Sequence, residues 1–120
     1  MQLIIVGIGG LFGSITRYFL GKLISEKATT LFPLGTFIIN ITGAFLLGII
    51  STIKIDNNLY ILLGDGFLGA YTTFSTFMYE GFYLFHEKEK LNAFTYIFLS
   101  LIVGVLGYAT GSFFGKATIF

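Results

Sequence analysis

The sequence predicts an all-α membrane protein with four transmembrane helices, the third broken near its middle. Three observations predict it. Of 120 residues, 55% are hydrophobic and only 11% charged, with a mean hydropathy of +0.88, whereas a soluble domain carries about 25% charged residues. Four apolar runs, at about 3–23, 34–53, 59–85 and 93–114, reach the ~20 residues that a spanning helix needs. The third run contains Gly64-Asp65-Gly66-Phe67-Leu68-Gly69-Ala70-Tyr71-Thr72-Thr73-Phe74-Ser75-Thr76-Phe77, with three glycines in six residues and then two adjacent threonines. Both features weaken a helix. In hydrocarbon, a break survives only where protein or water satisfies the freed backbone groups, so this one marks a site.

The chain is expected to form one domain, 1–120. Three short polar connections (Ser25–Thr30, Lys54–Asn58 and His86–Asn92) make sequential helices antiparallel and put both termini on one side. The amino terminus lacks a basic leader and its first apolar run is too long for a signal sequence, so it is expected to remain as a span. In the first helix Gly10, Ser14, Arg17 and Gly21 are spaced 4, 3 and 4 and share one face, which lets backbones approach closely in lipid. Arg17 has two readings, an interfacial anchor that snorkels or a charge in a water-filled vestibule. Pro33, the only proline, suits a helix start. In the second helix Thr36, Asn40, Gly43 and Ala44 share a small, polar face; the Asn40 amide is either interhelical glue or a pore-lining donor. The third helix places four hydroxyls (Thr72, Thr73, Ser75, Thr76) and two phenylalanines, Phe74 and Phe77, just past its glycines. In the fourth, Tyr96, Ser100, Gly104, Gly107 and Gly111 form one stripe of two hydroxyls and three glycines.

Other function classes fall away. A net charge of +1 gives no footprint for nucleic acid, and no cysteine is present for disulfide or thiolate chemistry. His86, the single histidine, lies in a charged loop and supports neither a triad nor a histidine metal site. Gly64-x-Gly66-x-x-Gly69 matches the dinucleotide-binding pattern, but that motif needs a βαβ unit around it and here lies in a membrane span. Asp65 and Glu80 are the membrane carboxylates, on opposite sides of the break. No nucleophile or matched base accompanies them, so the chain is not expected to be an enzyme. Glu80 either belongs to an ion or proton relay or sits near the membrane edge.

Three motifs carry a resemblance. Gly9-Gly10-Leu11-Phe12-Gly13-Ser14-Ile15-Thr16-Arg17-Tyr18, Gly35-Thr36-Phe37-Ile38-Ile39-Asn40-Ile41-Thr42-Gly43-Ala44-Phe45 and the Gly66–Phe77 stretch together resemble the CrcB/Fluc family of fluoride channels, over the whole chain. The resemblance implies a fluoride-selective channel in the cell (plasma or inner) membrane, letting fluoride leave passively. It implies an antiparallel, dual-topology homodimer with a structural sodium ion at its centre, held by backbone carbonyls that fall on Gly69 and Thr72. The pathway residues fall on Asn40, Phe74, Phe77, Thr76, Tyr96 and Ser100, with Arg17 and Glu80 in a vestibule or polar cluster. Gly104 stands where some relatives carry a hydroxyl, and Asp65 where an uncharged residue is expected. The picture is physically coherent: freed carbonyls suit a hard cation, and aromatic edges are positive. A small four-helix multidrug exporter is the alternative, but it needs an acid in the first helix, which has none within 3–23. A non-transporting assembly factor would not require the broken helix.

Overall fold

The computed structural model describes residues 1–27 and 32–119. All regular structure among them is helical: α1 Gln2–Lys27, α2 Leu34–Thr52, α3 at 57–71, α4 Ser75–His86 and α5 Lys90–Ile119. Three helices, α1, α2 and α5, are long and apolar enough to cross a membrane. α3 and α4 are shorter and flank the three residues 72–74.

Two predicted spans are longer than expected. α1 continues past Leu23 to Lys27, and α5 begins at Lys90 and runs to Ile119 rather than occupying 93–114. The apolar pattern stops where hydrocarbon stops, but Ser25-Glu26-Lys27 and Lys90-Leu91-Asn92 contain no breaker, so the helix continues into the polar zone. Of the Ser25–Thr30 connection, Ser25–Lys27 is therefore helical, and 28–30 lie outside the described residues. The His86–Asn92 connection shrinks to 87–89. There the amides of Glu87, Lys88 and Glu89 donate to the carbonyls of Tyr83, Phe85 and Leu84 at 2.9, 3.1 and 2.8 Å. Lys88 takes the left-handed conformation (φ 61°) that closes such a turn.

α3 is not uniform. Ile61–Leu68 is π-helical, and the Gly69 amide bonds back to the Gly64 carbonyl. The wide turns coincide with the glycines at 64 and 66, which have no side chain to crowd them.

Two parallel seams organise the packing. α1 lies against α3 so closely that a Cβ on Gly9 or Gly13 would collide with the backbone of Leu62 or Phe67. α2 lies against α5 in the same way, with Gly48 against Tyr108, Gly111 against Phe45 and Gly115 against Ile49 and Thr52. Contact positions advance together along both partners, so each pair runs parallel. The predicted small-residue stripe of α5 does face α2 at Gly107 and Gly111. In α1 the tightest contacts fall on Gly9 and Gly13, whereas Gly21 meets Ile39 of α2. Within lipid, such close backbone approach is what holds helices together.

Two buried clusters sit on either side of residues 72–74. Ile39, Leu68 and Tyr71 form one; Phe77, Leu84, Ala93 and Tyr96 form the other. Many other large apolar side chains, Phe74, Phe82 and Phe113 among them, are exposed on the single chain.

Candidate functional site at the helix break

Helix geometry ends at Tyr71 because Thr72 turns to extended backbone (φ −79°, ψ 160°). α2 supplies what the broken backbone needs. The Asn40 side chain donates through Nδ2 to the Thr73 carbonyl and accepts from the Thr73 amide through Oδ1, both at 2.8 Å. Its orientation is thereby unambiguous, since a peptide N–H only donates and a C=O only accepts. Two further contacts secure the same segment. Tyr71 Oη lies 2.9 Å from Thr42 Oγ1. The Thr72 methyl occupies the space that a Cβ on Gly43 would fill. Beyond the break, the Thr76 amide donates to Thr73 Oγ1 at 3.3 Å, capping the start of α4.

Three clefts radiate from this point. The first, about 320 Å³, is lined by Arg17, Lys22, Thr36, Thr73 and Thr76 among others. It joins a guanidinium and an ammonium to five hydroxyl-bearing side chains, those of Tyr18, Ser25, Thr36, Thr73 and Thr76, a composition suited to an anion. The second, about 170 Å³, is lined by Asn40, Thr73, Phe74, Phe77, Ser100 and Leu101. Here Ser100 Oγ is buried and has no hydrogen-bond partner among the described residues, which leaves an unmatched hydroxyl beside a mostly apolar space. The third, about 270 Å³, includes Asn40, Gly43, Gly64, Gly69 and Thr72.

The two phenylalanines are not equivalent. A regular helix would put Phe74 and Phe77 on adjoining parts of one face. Instead Phe74 precedes α4 and is 72% exposed, while Phe77 is 7% exposed. Their ring centroids are still 6.1 Å apart, and the Phe77 ring is 5.1 Å from that of fully buried Tyr96. Tyr96 Oη donates to Glu80 Oε1 at 3.3 Å, and the Thr36 side chain also hydrogen-bonds Glu80. The partners of Glu80 are thus Thr36 and Tyr96 on neighbouring helices rather than Thr76 one turn away. Glu80 is half-buried, and its partner Thr36 also lines the first cleft.

Sequence reasoning named Asn40 without locating its partner, and it passed over Thr42 and Tyr71. A paired hydroxyl on each of two helices leaves no periodic signal; only the register of α2 against α3 brings them together. Asp65 lies apart from the three clefts on an exposed part of α3.

Gly69 and Thr72, the residues implied for sodium, line one cleft. Their carbonyls are hard oxygen donors of the kind a small cation prefers. The chemistry of this donor set therefore fits half of such a site.

The chain is similar to known proteins over nearly its whole length. Residues 4–112 match the family model described as CrcB-like protein, Camphor Resistance (CrcB). The chain is 59% identical over 116 residues to the fluoride-specific ion channel FluC 2 of Clostridium acetobutylicum, covering 97% of this chain and 99% of that one. It is 44% identical over 106 residues to FluC 2 of Bacillus cereus, covering 88% and 90% of the two chains. It is 43% identical over 120 residues to FluC of Hydrogenobaculum sp., covering 96% and 98%.

Proposed function

The chain belongs to the CrcB-like family, and we propose that it is a multi-pass membrane channel selective for fluoride, through which the ion leaves the cell down its gradient. The observation that supports this most directly is the donor set at the break. Ser100 Oγ, the Asn40 amide and the Phe77 ring line a narrow space next to a cleft bearing Arg17 and Lys22.

The route follows from the clefts. Arg17 and Lys22 raise the local anion concentration at the mouth. Thr36, Thr73 and Thr76 offer hydroxyls where water is first lost. Past Thr73 the anion meets the Phe77 edge, which is positive without being a fixed charge, and the unpartnered Ser100 hydroxyl. Tyr96, held by its bond to Glu80, fixes the far side of the Phe77 ring. Several weak donors in series favour passage over retention. Fluoride is small and accepts short, strong hydrogen bonds; chloride is larger and gains less from the same donors. In liposomes, fluoride efflux should exceed chloride efflux by about two orders of magnitude or more, equivalent to roughly 3 kcal/mol in barrier height. Equal rates for the two ions would overturn the reading.

We infer that 57–71 and 75–86 together make a third span broken at 72–74, giving four spans, and that two copies associate antiparallel. The many exposed apolar side chains and the half-site at Gly69 and Thr72 support association with a second copy. A paired half-site offers four carbonyls to a structural sodium ion, which stabilises the assembly and is not transported. The positive charges support insertion in both orientations: Lys54 and Lys116 oppose Lys22, Lys27, Lys88 and Lys90, a small imbalance for the positive-inside rule. The predicted Lys54–Asn58 connection is shorter, at 53–56, because α3 begins at Asn57; a single cysteine placed there should therefore be labelled from both membrane faces. Labelling from one face alone would remove dual insertion.

A further inference from the structure

We propose that Asn40 is a positioning residue for the cation site, acting by drawing the Thr73 amide away from the Gly69 carbonyl. The proposal rests on the sodium part of the reading above and deepens it. In an unbroken helix the Thr73 amide would donate to the Gly69 carbonyl and the Thr76 amide to the Thr72 carbonyl. The last regular bond before the break runs from the Thr72 amide to the Leu68 carbonyl at 3.0 Å, and the first after it from Met78 to Phe74 at 2.9 Å. Between them two side chains intervene. Asn40 Oδ1 takes the Thr73 amide, and Thr73 Oγ1 takes the Thr76 amide. The helical acceptors of these two diverted amides are the carbonyls of Gly69 and Thr72, the pair that the cation needs.

The Asn40 amide is committed to this work. Its oxygen accepts from Thr73 and one Nδ2 hydrogen goes to the Thr73 carbonyl, so at most one amide hydrogen remains for an anion. The same turn of α2 holds the flanking residues. Thr42 Oγ1 already donates to a carbonyl of its own helix, so the Tyr71 hydroxyl is the donor between them. Gly43 admits the Thr72 methyl. Residues 40–43 of α2 thus hold 71–73 in succession, and the carbonyl geometry of the break is set from the neighbouring helix.

The test is a sodium titration of purified protein in detergent, followed by thermal unfolding, with choline keeping the ionic strength constant. A bound ion raises the unfolding temperature in proportion to how far its concentration exceeds its dissociation constant. The parent should be stabilised by sodium and not by choline. Asn40→Leu, which lets the Thr73 amide return to Gly69, should weaken the sodium midpoint about tenfold or more. Asn40→Asp keeps an acceptor for the Thr73 amide, so its midpoint should stay within about threefold of the parent, or tighten, while fluoride flux is lost. Thr73→Val should weaken the midpoint as Asn40→Leu does, and Thr73→Ser should restore it.

A parent midpoint in both Asn40→Leu and Thr73→Val would overturn the proposal. Should Asn40→Leu fail to fold, a well-folded Asn40→Asp that has lost its sodium response would overturn it as well. The titration is independent of flux. Fluoride conduction by a parent with no sodium-dependent shift overturns this proposal and spares the channel. Sodium shifts that follow the variants as stated support it even where flux fails to separate fluoride from chloride.

Discussion

Fluoride efflux through Phe77→Ile should fall about tenfold or more below the parent in the same liposomes, a barrier increase of roughly 1.4 kcal/mol or above. Isoleucine keeps most of the apolar bulk and removes the positive ring edge. Phe77 is almost fully buried, lies 5.1 Å from the Tyr96 ring and lines the cleft that holds Asn40 and Ser100. Packing loss alone gives a different pattern: a shape change in a well-packed core costs about 1–3 kcal/mol of stability and shows as a lower unfolding temperature. Gel filtration and thermal unfolding therefore accompany the flux measurement. A monodisperse Phe77→Ile protein with full fluoride flux would remove the ring edge from the mechanism. Phe74→Ile separates the two rings, because Phe74 is exposed on the single chain whereas Phe77 is buried.

Gly111→Val should abolish recovery of folded protein or lower its unfolding temperature by many degrees. A Cβ at 111 falls onto the Phe45 carbonyl and close to the Ile49 amide, both backbone atoms that no rotamer change can move aside. α5 would have to withdraw from α2 along the whole seam that also contains Gly107 and Gly115. Overpacking a core typically costs about 1–3 kcal/mol, and collision with backbone belongs at or beyond the upper end. Gly104→Ala is the matched control, since nothing lies within 4 Å of a Cβ there. Size-exclusion profiles and unfolding temperatures of the two variants decide the matter, and indistinguishable behaviour would mean that the seam is not tight.

Composition and run length were enough to foresee a helical membrane protein, because hydropathy reports burial in lipid directly. The break was legible because glycines followed by β-branched threonines are poor helix formers wherever they occur. The stripe on α5 was legible because a straight helix keeps its 3.6-residue period, so Gly107 and Gly111 could be placed against a neighbour in advance. The same reasoning gave the wrong relation between Phe74 and Phe77, since Phe74 lies before the first turn of α4. It also passed over Gly115, which becomes notable only when another backbone is seen beside it. The Asn40–Thr73 pairing spans 33 residues and depends on the register of two helices, which no local pattern encodes.

Synthesis proceeds from the amino terminus, and that direction bears on how the discontinuous span is made. Residues 57–86 leave the ribosome as one mostly apolar stretch; Thr73 Oγ1 takes the Thr76 amide, but the Thr73 amide and carbonyl pair with Asn40 outside the stretch. Asn40, Thr42 and Gly43 lie 33, 29 and 29 positions ahead of Thr73, Tyr71 and Thr72, so the helix that receives the opened segment has emerged before it. The gap at 72–74 is thus a templated feature: an earlier element presents the complementary groups, and the later one takes its shape on arrival.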